Sequence, residues 1–410
     1  MNVSEPIAIV GMGCRFPGAF DPRQLWHLLC TGQDALAVGR SPDCTTDFVP
    51  GDFHLTDRES AEIDPQHKAL LLTARDALRD AGLDENQVAG QGIGIFMGQS
   101  TAEHWDTRAS EYPVDMYAIA GSAARSMASG RIGYAWDLRG PCATVDAACS
   151  SGTLAVHLAC QALRTGECDT ALAGGVSLVL GTDHTVGYAA AGMLSPTGRC
   201  RFGSEDADGF VRSDGAGVLV LKPLTCARRD GDRIHAVIHG SAQASKGRTA
   251  KAVIAPSLEG YLQVIERACA TAGLAPEQLG YIEAHGNAAP AGDHLELQAI
   301  GTAIGSLRPP GQPCLVGSIK SNLGHPEAAG GLAGLIKAAL TLKHRHIPAT
   351  LHCEHPTSAV DWPGLGIAAV RTGIDWPYPG PAYAGVNTYG LSGTFVHLVL
   401  GAAEQSGQRG

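Results

Sequence analysis

Apolar residues come in short runs along this chain, and each run ends in glycine or a capping residue. Pro6-Ile-Ala-Ile-Val-Gly11 is an apolar run closed by glycine, the pattern of a buried strand. Asp21-Pro22 opens a helix with Asp as cap and Pro in the first turn. Leu25, Leu28 and Leu29 form its apolar stripe, and Gly32 ends it. A second helix starts at Asp64-Pro65, carries Leu70, Leu71, Ala74 and Leu78, and stops at Gly82, before the strand Ile93–Met97. The same grammar returns when Ser257 caps a helix with Leu262, Ile265 and Cys269 that ends near Gly273, before the strand Tyr281–Glu283. Wording is shared too: Ala81-Gly82-Leu83 with Gln87-Val88, and Ala272-Gly273-Leu274 with Gln278-Leu279. Alternating strands and helices predict an α/β fold, and the echo predicts an internal duplication. No Pro/Ser linker separates the copies, so one two-lobed unit is expected, halves 1–240 and 241–410, with a frayed tail over 404–410.

Composition narrows the function. The chain has 410 residues, 44% of them hydrophobic and 17% charged, which excludes disorder as the main state. No apolar stretch is long enough to span a membrane and no N-terminal signal is evident, so a cytoplasmic protein is expected. A net charge of −10 argues against nucleic acid as a partner. Of the 12 cysteines none forms a C-x-x-C pair, so neither a metal site nor a disulfide framework is expected.

One cysteine has a distinctive setting. In Thr144-Val-Asp-Ala-Ala-Cys149-Ser-Ser-Gly152 a helix begins near Cys149 and runs to about Arg164 with few charges on any face. Free N–H groups at a helix start stabilise a thiolate, so a lowered thiol pKa is expected, although a core cysteine fits the local pattern equally well. Two predicted strands end in histidine, at Ile282-Glu-Ala-His285-Gly286 and Gly317-Ser-Ile-Lys320-Ser-Asn-Leu-Gly-His325. The second precedes a small-residue helix from about Glu327 to Leu342, predicted to pack against the helix after Cys149. A glycine-rich turn, Tyr389-Gly-Leu-Ser-Gly-Thr394, can aim N–H groups at an oxyanion. One Cys, two His and such a turn together suggest thiolate chemistry.

The chain resembles the β-ketoacyl synthases of the thiolase superfamily, and within them the ketosynthase domains of modular type I polyketide synthases. The motifs are Ile7–Pro17, Asp64-Pro-Gln66, Leu194–Cys200, Gly209-Phe-Val-Arg212 and Lys320–Ala329. The resemblance implies the thiolase fold, a duplicated αβαβα layered architecture, and a homodimer. It implies that Cys149 accepts an acyl chain, that His285 and His325 serve the second half-reaction, and that Lys320 organises them. The N–H groups of Cys149 and Leu391 would form the oxyanion hole. It implies no bound cofactor, phosphopantetheine arriving on an acyl carrier protein or carrier domain. A chain of 410 residues leaves no room for acyltransferase or carrier segments, so action in trans is expected. Basic pairs that an acidic carrier can meet are Arg199 with Arg201, Arg228 with Arg229, and Lys343 with Arg345.

Departures from the family pattern cluster on this site. The usual His-Gly-Thr-Gly-Thr is His285-Gly-Asn287-Ala-Ala289 here, without the two threonine hydroxyls that hold the malonyl carboxylate in relatives. Asp-Thr-Ala-Cys-Ser-Ser-Ser has become Asp146-Ala-Ala-Cys149-Ser-Ser-Gly152. Phe-Gly-Phe-Gly-Gly-Thr-Asn has become Tyr389-Gly-Leu391-Ser-Gly-Thr-Phe395. The expected pocket therefore includes Asn287, Ala289, Leu391 and Phe395. The favoured reading is altered second-step chemistry on the tethered chain: intramolecular aldol- or Claisen-type cyclisation, or acyl transfer. The alternatives are ordinary decarboxylative elongation with malonyl-carrier protein, and a non-catalytic partner protein like the chain-length factors.

Overall fold

Strand β1 (Ile7–Arg15) is buried along its whole length, as its apolar sequence requires. In the computed structural model, which describes residues 4–37, 43–108 and 114–403, it lies at the middle of an eleven-stranded sheet. The tail expected to fray, 404–410, lies outside the described residues. The first half supplies β2 (Gly94–Gln99), β3 (Cys142–Val145), β4 (Ala171–Ser177) and β5 (Gly215–Pro223). The second supplies β6 (Ala236–Ser245), β7 (Tyr281–Glu283), β8 (Cys314–Gly317), β9 (Ile367–Ala369), β10 (Tyr383–Tyr389) and β11 (Thr394–Ala402). The spatial order is β9-β8-β7-β10-β11-β6-β1-β5-β4-β2-β3.

That order contains one pattern twice. Outward from the middle, each half places its first strand, then its fifth, fourth, second and third; β9 is an addition at one edge. The directions repeat as well. β1–β5 and β4–β5 are antiparallel and β2 is parallel to β3 and β4; β6–β11, β10–β11 and β7 with β8 and β10 match them. The halves meet where β1 pairs antiparallel with β6, Ile7 opposite Ile238. β6 runs unbroken across residue 240, where the sequence reading divides the halves.

Helix α1 (Pro22–Cys30) starts where Asp21 accepts the N–H groups of Arg23 and Gln24. Helix α2 (Pro65–Asp80) covers the outer face of β1 and β5, and α4 (Leu258–Ala272) covers β6 and β11 in the same way. Both contacts need a glycine. A Cβ on Gly11 would lie 2.4 Å from the Ala77 oxygen, and one on Gly240 would lie 2.3 Å from the Ala268 oxygen. Between the two half-sheets run α3 (Ser151–Thr165) and α6 (Glu327–His344), which touch each other and strands of both halves. Every residue of α6 from Glu327 to Leu342 is buried. A helix buried on every side belongs in the middle of a structure, and its buried Lys337 is paired with Glu283 at 2.8 Å. The result is five layers, helix–sheet–helices–sheet–helix, with the starts of α3 and α6 side by side at the centre. A further helix, α5 (Pro290–Ala303), follows β7. No helix among the described residues is long and apolar enough to cross a membrane.

Candidate active site

Cys149 occupies the turn between β3 and α3. The helix itself starts at Ser151, two residues later than the sequence suggests. The turn is held in an unusual shape: Ala148 adopts φ +51°, a left-handed conformation that costs a non-glycine residue about 1–2 kcal/mol. Two serines fix it. The Ser151 hydroxyl accepts the Ala147 N–H (2.9 Å) and donates to the Ala148 carbonyl (2.6 Å). The Ser150 hydroxyl reaches the Ala147 and Thr394 carbonyls (2.9 and 3.2 Å). The glycine-rich turn between β10 and β11 presses on the other side. A Cβ on Gly390 would fall 2.0 Å from the Ala147 oxygen, so only glycine allows this approach.

The N–H groups of Cys149 and Leu391 lie near Cys149 and favour its thiolate. The expectation of a low thiol pKa nevertheless fails. Cys149 is half-buried, and the protein packed around its sulfur pushes the thiol up to about 12. The Glu327 carboxylate adds to this rise, and Lys320 opposes it. The helix start is visible in the sequence; the burial of the sulfur and the carboxylate across from it are not.

His285 follows β7, and its backbone is gripped by a carboxylate. Glu296 on α5 accepts the N–H groups of His285 (2.7 Å) and Gly286 (2.8 Å) and is itself held by the Asn387 amide at 3.0 Å. His397 braces Asn387 from behind at 2.5 Å. Asp293, also on α5, accepts the Gly203 N–H. The Lys320 ammonium donates to the His285 carbonyl. The Tyr389 N–H donates to Nδ1 of His285 (3.2 Å), which fixes the tautomer: Nδ1 accepts, so Nε2 carries the proton. The His325 ring stands perpendicular to that of His285, centroids 5.4 Å apart, with Phe210 at 5.2 Å. Both ring nitrogens of His325 are buried without a hydrogen-bond partner among the described residues. Burial, then the Lys320 charge, holds both imidazoles well below the ordinary histidine range, so both are neutral near pH 7. Burial also lowers the pKa of Lys320, against the pull of Glu283 and Glu296.

A second buried network carries the Glu327 carboxylate. Arg212 donates to Glu327 (2.5 Å), Glu103 (2.6 Å) and the Thr185 hydroxyl (2.8 Å). Glu103 also accepts the N–H groups of Leu180 and Gly181, each at 2.8 Å. No periodicity or spacing singles out Glu296, Asp293, Glu103 or Glu327, the last entering only as part of the Lys320–Ala329 motif. A carboxylate that accepts backbone N–H groups leaves no periodic mark; an acidic residue facing inward at a helix start is the only sign.

The altered positions separate in space. Asn287 is half-buried and its Oδ1 accepts the Ala289 N–H at 3.2 Å; its Nδ2 has no partner among the described residues. Ala289 is half-buried and presents a methyl group. Leu391 is half-buried in the turn. Phe395, expected in the pocket, is fully buried behind the turn. Its ring packs edge-on to Tyr261 (4.6 Å) and beside Tyr389 (4.8 Å), and a Cβ on Gly260 would lie 2.4 Å from it. It is a core residue because β11 turns that side chain toward α4.

This geometry has relatives. The profile described as the β-ketoacyl synthase N-terminal domain matches residues 4–227, and the C-terminal domain profile matches residues 235–354. The mycocerosic acid synthase-like polyketide synthase of Mycolicibacterium smegmatis is 41% identical over 99% of this chain and 20% of its own length. The erythronolide synthase of Saccharopolyspora erythraea is 39% identical over 99% of the chain and 13% of its own length. The ketosynthase from module 6 of the bacillaene synthase from Bacillus subtilis 168 superposes with a TM-score of 0.90 at 32% identity, covering 98% of this chain and 72% of that one. An oxazolomycin ketosynthase domain of Streptomyces albus JA3453 superposes at 0.82 and 34% identity, covering 98% and 96%. The chain belongs to the β-ketoacyl synthase family, acyltransferases that form carbon–carbon bonds, and has their thiolase fold. Within the family it is a ketosynthase of the polyketide-synthase type. It spans between 13% and 27% of the length of the first curated relatives it matches.

Proposed function

We propose that Cys149 takes an acyl chain from a carrier protein and that the second step differs from decarboxylative elongation. The sulfur attacks the carrier thioester, a thioester to Cys149 forms, and the carrier thiol leaves. The N–H groups of Cys149 and Leu391 stabilise the oxyanion of the tetrahedral intermediate. His285, its Nε2 carrying a proton and its ring neutral, can donate a hydrogen bond to an enolate oxygen. His325, with two unpartnered ring nitrogens, can donate or accept. An imidazole takes a proton from the tethered chain. The resulting enolate either adds to a carbonyl of the same chain, which regains the proton and leaves the thioester intact, or attacks the Cys149 thioester and expels the thiolate; in transfer, another nucleophile displaces that thiolate instead. One observation carries this reading. Where relatives place two threonine hydroxyls, this chain has Ala289, which offers no side-chain donor, and Asn287, a longer planar amide whose Oδ1 accepts the Ala289 N–H. Comparing CO₂ release from malonyl-carrier protein with turnover of an acyl-carrier substrate tests it.

Ordinary elongation is supported by the free Nδ2 group of Asn287, which offers a carboxylate one amide donor. The non-catalytic partner role is the weakest reading, since Cys149, His285 and His325 are all retained. We also infer a homodimer. β3 is an edge strand with no fully buried residue, and Tyr134 on the neighbouring helix is 69% exposed. For an acidic carrier the exposed Arg199 and Lys343 are the better of the basic candidates, because Arg201 is tied to Asp208 and Arg229 to Asp230.

A further inference from the structure

Lys246 follows β6 and is 6% exposed, with no carboxylate partner among the described residues. Its ammonium is held by carbonyl oxygens alone, those of Ala252 (3.2 Å), Val253 and Ala255 (2.5 Å). The remaining carbonyl of that stretch, Ile254, accepts the hydroxyl of Tyr389 at 3.1 Å. Four consecutive carbonyls are therefore bound by two side chains, and the ammonium sits 5.9 Å from the Tyr389 ring. An ammonium has three donors and here meets three acceptors.

The other end of this lysine touches the glycine-rich turn. Its backbone N–H donates to the Gly393 carbonyl at 3.0 Å. Its stem lies along Gly393, where φ is +91° and a Cβ would come within 2.9 Å of the lysine Cε. That turn carries the Leu391 N–H, and Tyr389, just before it, holds His285 through its own N–H. The segment bound by Lys246 is otherwise loosely attached, with Val253 78% and Ile254 57% exposed.

We propose that Lys246 is a positioning residue for acyl transfer: it ties the 252–255 carbonyls beside Tyr389 and seats the 390–393 turn against the Cys149 turn, which keeps the Leu391 N–H in place to receive the oxyanion. The proposal rests on Cys149 as acyl acceptor. A purely structural lysine would affect folding and every reaction of the thiol alike. Displacing the Leu391 N–H lowers the thiolate fraction and so slows both reactions a little, but acylation, which alone passes through an oxyanion, loses far more.

The test uses the full chain and two probes: the N-acetylcysteamine thioester of hexanoic acid, followed by intact mass, and iodoacetamide. Lys246→Met keeps the stem and removes the donors. Its acylation rate is expected to fall roughly ten- to a hundredfold while alkylation changes by less than about threefold. Lys246→Arg restores part of the acylation rate. Tyr389→Phe removes one tie only, keeps the core ring, and serves if Lys246→Met does not fold; it lowers acylation selectively and by less. Equal losses in both reactions, or acylation at the wild-type rate, overturn the proposal. Cys149→Ala separates the two claims. If it still acylates, the acceptor reading fails and this proposal falls with it; if it is inert while Lys246→Met and Tyr389→Phe react normally, only the role of Lys246 is wrong.

Discussion

At the scale of single residues, the chemistry depends on protons that burial has moved. A thiol at about 12 is almost entirely protonated near neutrality, so its reactivity tracks the small thiolate fraction. Alkylation of Cys149 by iodoacetamide should therefore rise about tenfold per pH unit between about pH 7 and pH 10. A plateau near pH 8 would restore the low-pKa thiolate expected from the helix start. Cys149→Ala should lose covalent acyl loading, read by intact mass; loading that persists at the same site would end its assignment as acceptor. The histidines belong to the later step. His285→Ala and His325→Ala should each lower turnover on the order of 10²-fold, more than loading, because each removes a hydrogen bond to a developing enolate. Single-turnover data in which only loading suffers would contradict that. Cys149, His285 and His325 stand out in the sequence because each sits at a junction that its punctuation marks; Lys320 enters through the family resemblance alone. Glu296, Asp293, Glu103 and Glu327 do not stand out, because their partners are backbone N–H groups and an arginine distant in sequence.

At the scale of elements, punctuation predicts more than composition does. The caps Asp21, Asp64 and Ser257 and the stops near Gly32, Gly82 and Gly273 place three helices to within a residue or two. Left-handed Ala148 and Glu327 are invisible in the sequence, since such geometry in a non-glycine residue is imposed by surroundings. The three-residue strand β9 is equally hidden, because nothing local distinguishes it from loop. The packing of α3 on α6 follows from their small residues, and Gly152 shows how tight it is. A Cβ there would lie 2.2 Å from Leu332 Cδ2 and 2.6 Å from the Ala328 oxygen. Gly152→Ser, which restores the residue usual in the family, should therefore cost about 1–3 kcal/mol of stability. Thermal unfolding of the variant, with Leu332→Ala as a partial rescue, checks this; an unchanged midpoint would mean the helices can separate freely.

At the scale of the whole molecule, the duplication is plainer in the strand order than in the sequence, where two short echoes carry it. Each half builds the same five-strand pattern, and α3 and α6 enter the middle from corresponding places. Cys149 thereby comes from one half and both histidines from the other, and the site exists only when the halves are joined. Sedimentation should find twice the 42.4 kDa mass of the chain; a monomer at micromolar concentration would contradict the inferred dimer. The second step is the claim on which the functional reading stands. Losing one charge-assisted hydrogen bond to a carboxylate costs about 1.5–3 kcal/mol, and this chain lacks both threonine hydroxyls. The decisive measurement is CO₂ release from labelled malonyl-carrier protein by wild type and by Asn287→Thr/Ala289→Thr. Little release from the wild type and clearly more from the double variant is the predicted result. Rapid release by the wild type that depends on an acyl chain at Cys149 would contradict it and make the protein an ordinary elongating ketosynthase.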